Sequence, residues 1–82
     1  MAIKAINIGS TLSDKLLSAG INSIDELKSV GSEDAFIRIR TIDSSACLNM
    51  LYALEGAIRN IRWHDLDISK KNELKDFFNT LK

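Results

Sequence analysis

The sequence contains no proline, and it has only four glycines and one cysteine among 82 residues. Because proline and glycine punctuate turn-rich β architectures, their scarcity favours a helical fold. The single cysteine, Cys47, excludes an intramolecular disulfide and any metal site built from several cysteines. A reducing compartment is consistent with this content, so we expect the protein to be cytoplasmic.

An excess of charge of either sign is also missing, since eleven Lys and Arg balance eleven Asp and Glu. A neutral chain has no overall attraction to nucleic acid or to an anionic membrane, so either partner would need a local patch. No apolar run approaches the ~18 residues that cross a bilayer. The first residues also lack the pattern of a signal peptide. We therefore expect no membrane partner.

The composition that remains is that of one folded domain. The chain is 45% hydrophobic and 27% charged, which argues against disorder. At this length it predicts a single domain over residues 1–82. Hydrophobic periodicity and capping signals predict an all-α fold of five helices.

Two glycine turns surround the first predicted helix. It follows Gly9, with Ser10 or Ser13 as its N-cap, and it ends at Gly20, where glycine adopts the left-handed conformation without steric cost. A capping box that begins at Ser23 opens the second helix. This order of turns and helices predicts an N-terminal half that resembles helix-hairpin-helix modules.

Three further helices are predicted in the second part of the chain. Ser32 is expected to cap the third, whose alternating apolar and basic residues also fit a strand, although its acidic first turn favours a helix. Asp43 or Ser44 is expected to cap the fourth, which runs to about Asn60. The fifth covers about 68–81.

The fourth helix is apolar on nearly every side, which predicts that it is the longest helix and lies centrally in the bundle. Gly56 in its interior costs about 1 kcal/mol relative to alanine. We expect another helix to approach closely there. The exposed stripe of this helix is predicted to contain Asn49, Tyr52, Glu55 or Gly56, Arg59 and Arg62.

Two features are candidates for contact with nucleic acid. Backbone N–H groups in glycine-rich turns bind phosphate at helix N-termini, and Gly9 and Gly20 lie in such turns. Each turn has one glycine instead of the usual two, however, and Asp25 and Glu26 follow the second. The other feature is a basic patch, for which the alternative is a solvated face with local salt bridges. Its members would be the four arginines, Arg38, Arg40, Arg59 and Arg62.

Nothing in the sequence indicates catalysis. His64 is the only histidine, and a lone histidine makes a poor metal site. A nucleophilic pair with Cys47 is conceivable, but that thiol is predicted to be buried and inert among apolar residues. We expect no enzyme activity, no cofactor, no metal and no small-molecule substrate. Tyr52 and Trp63 are instead candidate anchors for a partner, alongside the alternative that Trp63 covers the core.

Several segments resemble the C-terminal domain of the TfoX/Sxy proteins, which are bacterial proteins linked to competence for DNA transformation. The most specific segment is Leu51-Tyr52-Ala53-Leu54-Glu55-Gly56-Ala57. The others cover residues 7–9, 15–21, 27–32, 35–36, 47–50 and 62–66. The resemblance implies an all-helical domain without known catalytic residues, which acts as a co-regulator with a transcription activator. Such regulators usually have a second, N-terminal domain, so we expect either a fragment or a stand-alone member here.

The sequence therefore predicts a protein-interaction module in transcriptional or competence regulation, which contacts a protein partner or a second copy of itself. The alternative hypothesis is weak, non-specific DNA binding through the glycine turns and the arginines.

Overall fold

Five α-helices and one short 3-10 turn form the part of the chain that the computed structural model describes, residues 3–81. The helices are α1 (Ser10–Ser18), α2 (Ile24–Val30), α3 (Ser32–Ile42), α4 (Leu48–Arg59) and α5 (Ile68–Thr80), and the 3-10 turn is Trp63–Asp65. The β-type pairing within these residues is one isolated bridge between Ala5 and Ile8. The predicted all-α fold is confirmed. No helix in residues 3–81 is long and apolar enough to cross a membrane.

The glycine turn after α1 has the predicted geometry. Gly20 has φ +84°, and its N–H donates to the carbonyl of Leu17 at 3.0 Å. The N–H of Ile21 donates to the carbonyl of Leu16 at 2.9 Å. These two bonds form a Schellman motif, which satisfies carbonyls that the end of a helix leaves free.

The start of α2 confirms the predicted cap. The hydroxyl of Ser23 accepts a hydrogen bond from the N–H of Glu26 at 3.1 Å. The Glu26 carboxylate reaches back, but it accepts from the N–H of Asn22 at 2.6 Å, one residue before the cap. Both partners of the capping box therefore satisfy backbone donors at this corner.

Glycines, instead of the serines that follow them, are the N-caps of α1 and α3. Gly9 precedes α1 and Gly31 precedes α3, and neither helix has a side-chain cap. Ser10, Ser13 and Ser32 lie inside the helices, so the predicted caps were wrong. Two of these hydroxyls have partners elsewhere: Ser13 accepts a backbone hydrogen bond at 2.7 Å from the segment before α1, and Ser32 donates to a carboxylate of α4.

The predicted start of α4 was also wrong, because Cys47 is its N-cap. The carboxylate of Asp43 is engaged in a turn before the helix, where it accepts from the N–H and the hydroxyl of Ser45 at 3.0 and 2.5 Å. It also pairs with Lys15 of α1. Cys47 is exposed at the end of this turn, which corrects the prediction that its thiol is buried.

Helix α4 lies at the centre of the fold, as predicted, because it packs against α2, α3, α5 and the 3-10 turn. It is not the longest helix, since it has 12 residues and α5 has 13. The core combines apolar faces of all five helices with four residues outside them, Ile3, Ile21, Ala46 and Leu66. Its fully buried large apolar side chains are Leu16, Ile21, Leu27, Phe36, Ile39, Leu51, Leu54 and Leu74.

Gly56 is buried, and the close approach that it permits does not come from another helix. A Cβ built on Gly56 would lie 2.5 Å from Nδ2 of Asn7, 2.8 Å from the carbonyl oxygen of Ile61 and 3.1 Å from the backbone nitrogen of Trp63. Glu55 is buried beside it. The predicted exposed stripe of α4 was therefore wrong at both positions, because loops and α3 cover this part of the helix. It was also wrong for Arg62, which is exposed but lies beyond the end of α4.

The crowding at Gly56 predicts that Gly56→Ala destabilises the protein, although alanine favours helices by about 1 kcal/mol. Backbone atoms form most of the surroundings and have little freedom to shift. We expect a net loss of about 1–3 kcal/mol in the free energy of unfolding, measured by urea denaturation. Asn49→Ala, at an exposed position of the same helix, is the control and is expected to be neutral or slightly stabilising. A G56A protein as stable as the control would contradict the steric explanation.

The pairing of Asp43 predicts a pH dependence of stability. Hydrogen bonds from Lys15 and Ser45 lower the pKa of the Asp43 carboxyl from 3.8 to about 2. A carboxylate whose pKa is lower in the folded state stabilises the fold above its unfolded pKa and loses this contribution as the pH falls through its folded pKa. We expect the stability difference between wild type and Asp43→Asn to shrink from pH 5 to pH 2 in denaturation at stepped pH. A constant difference over that range would exclude this role of Asp43.

Candidate interaction site

Three aromatic rings form a continuous stack where α4 meets the 3-10 turn. The Trp63 ring stacks with Tyr52 of α4 and with its chain neighbour His64. Its centroid is 5.8 Å from that of Tyr52, with the planes at 22°, and 3.9 Å from that of His64, with the planes at 27°. Tyr52 and Trp63 are half-buried and His64 is exposed. The stack therefore begins at the core and ends at the surface.

Lys71 of α5 connects this stack to the last helix. Its ammonium donates to the carbonyl of His64 at 3.2 Å and lies 6.0 Å from the centroid of the Trp63 ring, within the range of a cation–π contact. The hydroxyl of Tyr52 reaches the carbonyl of Lys71 at 3.4 Å. Helix α5 therefore contacts all three aromatic residues through Lys71. We call Tyr52, Trp63, His64 and Lys71 the aromatic cluster.

Asn7 holds the backbone beneath the aromatic cluster. Its Nδ2 donates to the carbonyl of Ile61 at 2.8 Å, and its Oδ1 accepts from the N–H of Trp63 at 3.2 Å. The N–H of Ile61 in turn donates to the carbonyl of Gly56 at 2.9 Å. A residue near the start of the chain therefore joins the loop that carries the tryptophan.

A buried carboxylate lies on the neighbouring face of α4. Oε1 of Glu55 accepts from the hydroxyl of Ser32 at 2.7 Å, and Oε2 accepts from Nε of Arg59 at 2.7 Å. A terminal nitrogen of Arg59 also lies 3.6 Å from a carboxylate oxygen of Asp67, the N-cap of α5. These groups tie α3, α4 and α5 together. They leave the Arg59 guanidinium between two carboxylates.

Lys70 lies near this network and has a carboxylate partner of its own. Its ammonium donates to Glu73 at 2.5 Å. This hydrogen bond raises the pKa of Lys70 above its ordinary value, against the opposing effect of partial burial. Like Arg59, this cation is already compensated by an acidic side chain.

The four arginines do not form one patch. Arg59 lies beside Asp67 at the start of α5, whereas the guanidinium of Arg40 is 5.5 Å from the ring centroid of Phe78 near its other end. At 1.5 Å per residue, those two positions on α5 are about 16 Å apart. Arg38 is exposed on α3.

Arg62, in contrast, is exposed directly beside the aromatic cluster, because it is the N-cap of the 3-10 turn that Trp63 begins. The structure therefore brings Tyr52, Trp63 and Arg62 together. Arg38 and Arg40 lie on another helix, α3, where Arg40 contacts Phe78.

The two glycines predicted to contact a partner lie in exposed turns at opposite ends of α1. Gly9 precedes a first turn that contains no acidic residue, and Gly20 follows the last turn. The helix after Gly20 begins with Asp25 and Glu26. A phosphate would meet these carboxylates at the second turn and would not meet any at the first.

The chemistry available at the aromatic cluster is that of contact and stacking. Within residues 3–81 no group of three or more histidine, cysteine or acidic side chains is placed to hold a metal ion. His64 stacks on Trp63, and it lies in a different loop from Cys47. The rings, the exposed guanidinium of Arg62 and the ammonium of Lys71 are groups that bind other macromolecules.

The sequence pattern did not indicate Asn7 or Lys71 as parts of the site. Lys71 is one of several charged residues on α5 and has no local signal of its own. Asn7 has an indirect one, because the helical Gly56 requires that something approach closely, but only the folded chain shows that it is this amide.

Comparisons with known proteins agree on one relationship. A family model described as the TfoX C-terminal domain matches residues 3–78. The crystal structure of an uncharacterized protein from Listeria monocytogenes, in a triclinic form, is 54% identical with a TM-score of 0.94, covering 95% of this chain and 89% of that chain. A protein of unknown function from the same organism, in a tetragonal form, is 53% identical with a TM-score of 0.94, covering 96% and 98%. No curated protein matches.

The network around Glu55 predicts unequal costs for its two hydrogen bonds. Ser32→Ala leaves a buried charge short of a donor and is expected to cost about 1.5–3 kcal/mol in the free energy of unfolding. Arg59→Ala removes a partly exposed i,i+4 pair and is expected to cost well under 1 kcal/mol. Chemical denaturation measures both. Ser29→Ala, at an exposed position of α2, is the matched control. If R59A proved more damaging than S32A, the proposed order of importance would be reversed.

Proposed function

This chain belongs to the TfoX C-terminal domain family, and from that premise we propose that it is a non-enzymatic helical module that works by binding another protein. The resemblance inferred from the residues and the match over residues 3–78 agree. We further propose that the module acts in transcriptional or competence regulation, the process with which the family is associated. Such a role places it in the cytoplasm, together with the chromosome.

The observation that carries this proposal is the aromatic cluster with Arg62 beside it. Tyrosine, tryptophan and arginine are the residue types that contribute most to binding energy at protein interfaces. Here Trp63 already stacks with Tyr52 and His64, so binding need not immobilise it. A pre-organised anchor retains more of the contact energy as affinity, because less side-chain entropy is lost.

Several contacts favour a protein partner over DNA. Arg59 already pairs with Glu55 and Asp67, and the whole chain has no net charge, so its electrostatic attraction to phosphate is small. Stacking of a nucleic-acid base requires an open aromatic face. The half-buried ring of Trp63 already stacks with Tyr52 and His64.

DNA binding remains the alternative function, and one observation supports it. Helix α1 begins at exposed Gly9 without a side-chain cap and without an acidic residue in its first turn. Exposed Lys4 lines the same shallow depression as Gly9 and Ser10. A helix N-terminus of this kind accepts phosphate. The experiment below therefore includes a DNA arm.

The site predicts different effects for two exposed arginines. Arg62→Glu is expected to weaken binding to the protein partner at least about tenfold, the size of a hot-spot change, whereas Arg38→Glu on α3 is expected to change it less than about twofold. Cross-linking in the native cytoplasm identifies the partner, and titration calorimetry with the purified partner measures the affinity. Light scattering at high micromolar concentration tests a second copy of the chain as that partner.

Each arm has an outcome that contradicts the proposal. Equal effects of R62E and R38E on affinity would exclude the aromatic cluster as the binding site. A strictly monomeric protein that cross-links to no specific partner would exclude a function in protein binding. Binding to duplex DNA at ~50 mM salt that weakens steeply as salt rises would instead establish the alternative.

A further inference from the structure

Asn7 and the aromatic cluster are far apart in sequence but joined by two hydrogen bonds from one side chain. The amide of Asn7 donates to the carbonyl of Ile61 and accepts from the N–H of Trp63, 54 and 56 residues away. A carboxamide offers a donor on its nitrogen and an acceptor on its oxygen, so one side chain can bind two neighbouring backbone groups. The Asn7 amide binds the carbonyl of Ile61 and the N–H of Trp63, which have no partner within a helix or strand.

The surroundings are built to admit this amide. The absent side chain of Gly56 leaves the space that Nδ2 of Asn7 occupies, since a Cβ there would lie only 2.5 Å away. Asn7 itself has φ 70°, a left-handed conformation that costs most residues energy and that asparagine tolerates better than most. Gly56 and Asn7 are therefore each locally unfavourable, and the hydrogen bonds to Ile61 and Trp63 are the stabilising contribution of this arrangement.

These contacts bear on the orientation of one side chain. The N–H that Asn7 holds belongs to Trp63 itself, at the residue where the 3-10 turn begins. Fixing this peptide fixes the direction in which the indole leaves the backbone, and so how it stacks with Tyr52. The N–H of Ile61 bonds to the carbonyl of Gly56 at the end of α4, and it makes no hydrogen bond with Asn7.

We propose that Asn7 is the positioning residue of the aromatic cluster, through which the segment before α1 sets the geometry of the partner-binding surface. The hydrogen-bonding role stands on the contacts alone, whereas its consequence for partner binding rests on the proposed function. The two parts are therefore measured separately.

The test compares hydrogen exchange at two backbone amides in Asn7→Gly. Glycine tolerates φ 70°, so this variant removes the amide and leaves the turn unstrained. We expect the exchange rate of Trp63, divided by that of Ile61, to rise about five- to tenfold by NMR, as the loss of one hydrogen bond implies. Acrylamide quenching of the single tryptophan is expected to increase in parallel.

Asn60→Gly is the matched control, because Asn60 is the other non-glycine residue with a left-handed conformation in residues 3–81, at φ 59°. It is expected to leave the ratio unchanged. Gly56→Ala displaces the same amide from the helix side, but its Cβ would also crowd Ile61, so this variant is measured by quenching. We expect acrylamide quenching of Trp63 to increase here too, and unchanged quenching would contradict the inference if N7G does not fold.

The ratio of the two exchange rates distinguishes positioning of Trp63 from general stabilisation of the fold. Global destabilisation accelerates exchange at both amides and leaves the ratio unchanged, and that result would overturn the inference. If the ratio rises and the affinity for the protein partner falls as in R62E, both parts stand. If the ratio rises while the affinity is unchanged, Asn7 positions Trp63 but the aromatic cluster is not the partner site, so the proposed function fails separately.

Discussion

The missing side chain of Gly56 is the constraint on which the rest of the structure depends. It lets the amide of Asn7 and the loop after α4 approach the central helix more closely than any Cβ would allow. That approach brings the segment before α1 against the far end of α4 and sets the path by which the chain enters the 3-10 turn. The position of Trp63, the exposure of Arg62 and the start of α5 all follow from this path.

The second organising feature is electrostatic. Burial of Glu55 places a negative charge inside the junction of α3 and α4, and Ser32 and Arg59 supply the hydrogen bonds that such a charge requires. Arg59, on the exposed side, then meets Asp67 as well. An arginine that looks like part of a basic surface is in fact paired with two carboxylates, which supports the proposal of a protein partner over phosphate.

The features that were predictable are those encoded by neighbours in sequence. The turn at Gly20, the cap at Ser23 and the five helices depend on interactions within a few residues, so periodicity and capping signals identify them. The central position of α4 follows from apolar residues on nearly all of its sides. The family relationship was also readable, because residues 51–57 and the glycine turns lie in recognisable order.

The serine caps show where prediction from local sequence signals fails. Ser32 has the right residue type in the right place for a cap, yet its hydroxyl binds Glu55, 23 residues away. Asp43 forms a turn with Ser45 and a pair with Lys15 before α4 begins. A local signal identifies a side chain that is able to cap a helix. After folding, however, that side chain can form a stronger hydrogen bond with a residue distant in sequence. The helix then begins at a different residue from the predicted one.

The helical class, the order of the helices, most of the turns and the family could be predicted from the residues alone, because they depend on short-range physics and on patterns along the chain. The polar residues of the candidate site became identifiable only in the folded chain. Hydrogen bonds that join Asn7 to Trp63, Ser32 to Glu55 and Lys71 to His64 connect positions 7 to 56 residues apart. Such contacts exist only once the helices have packed, because packing determines which donors and acceptors lie within reach of each other.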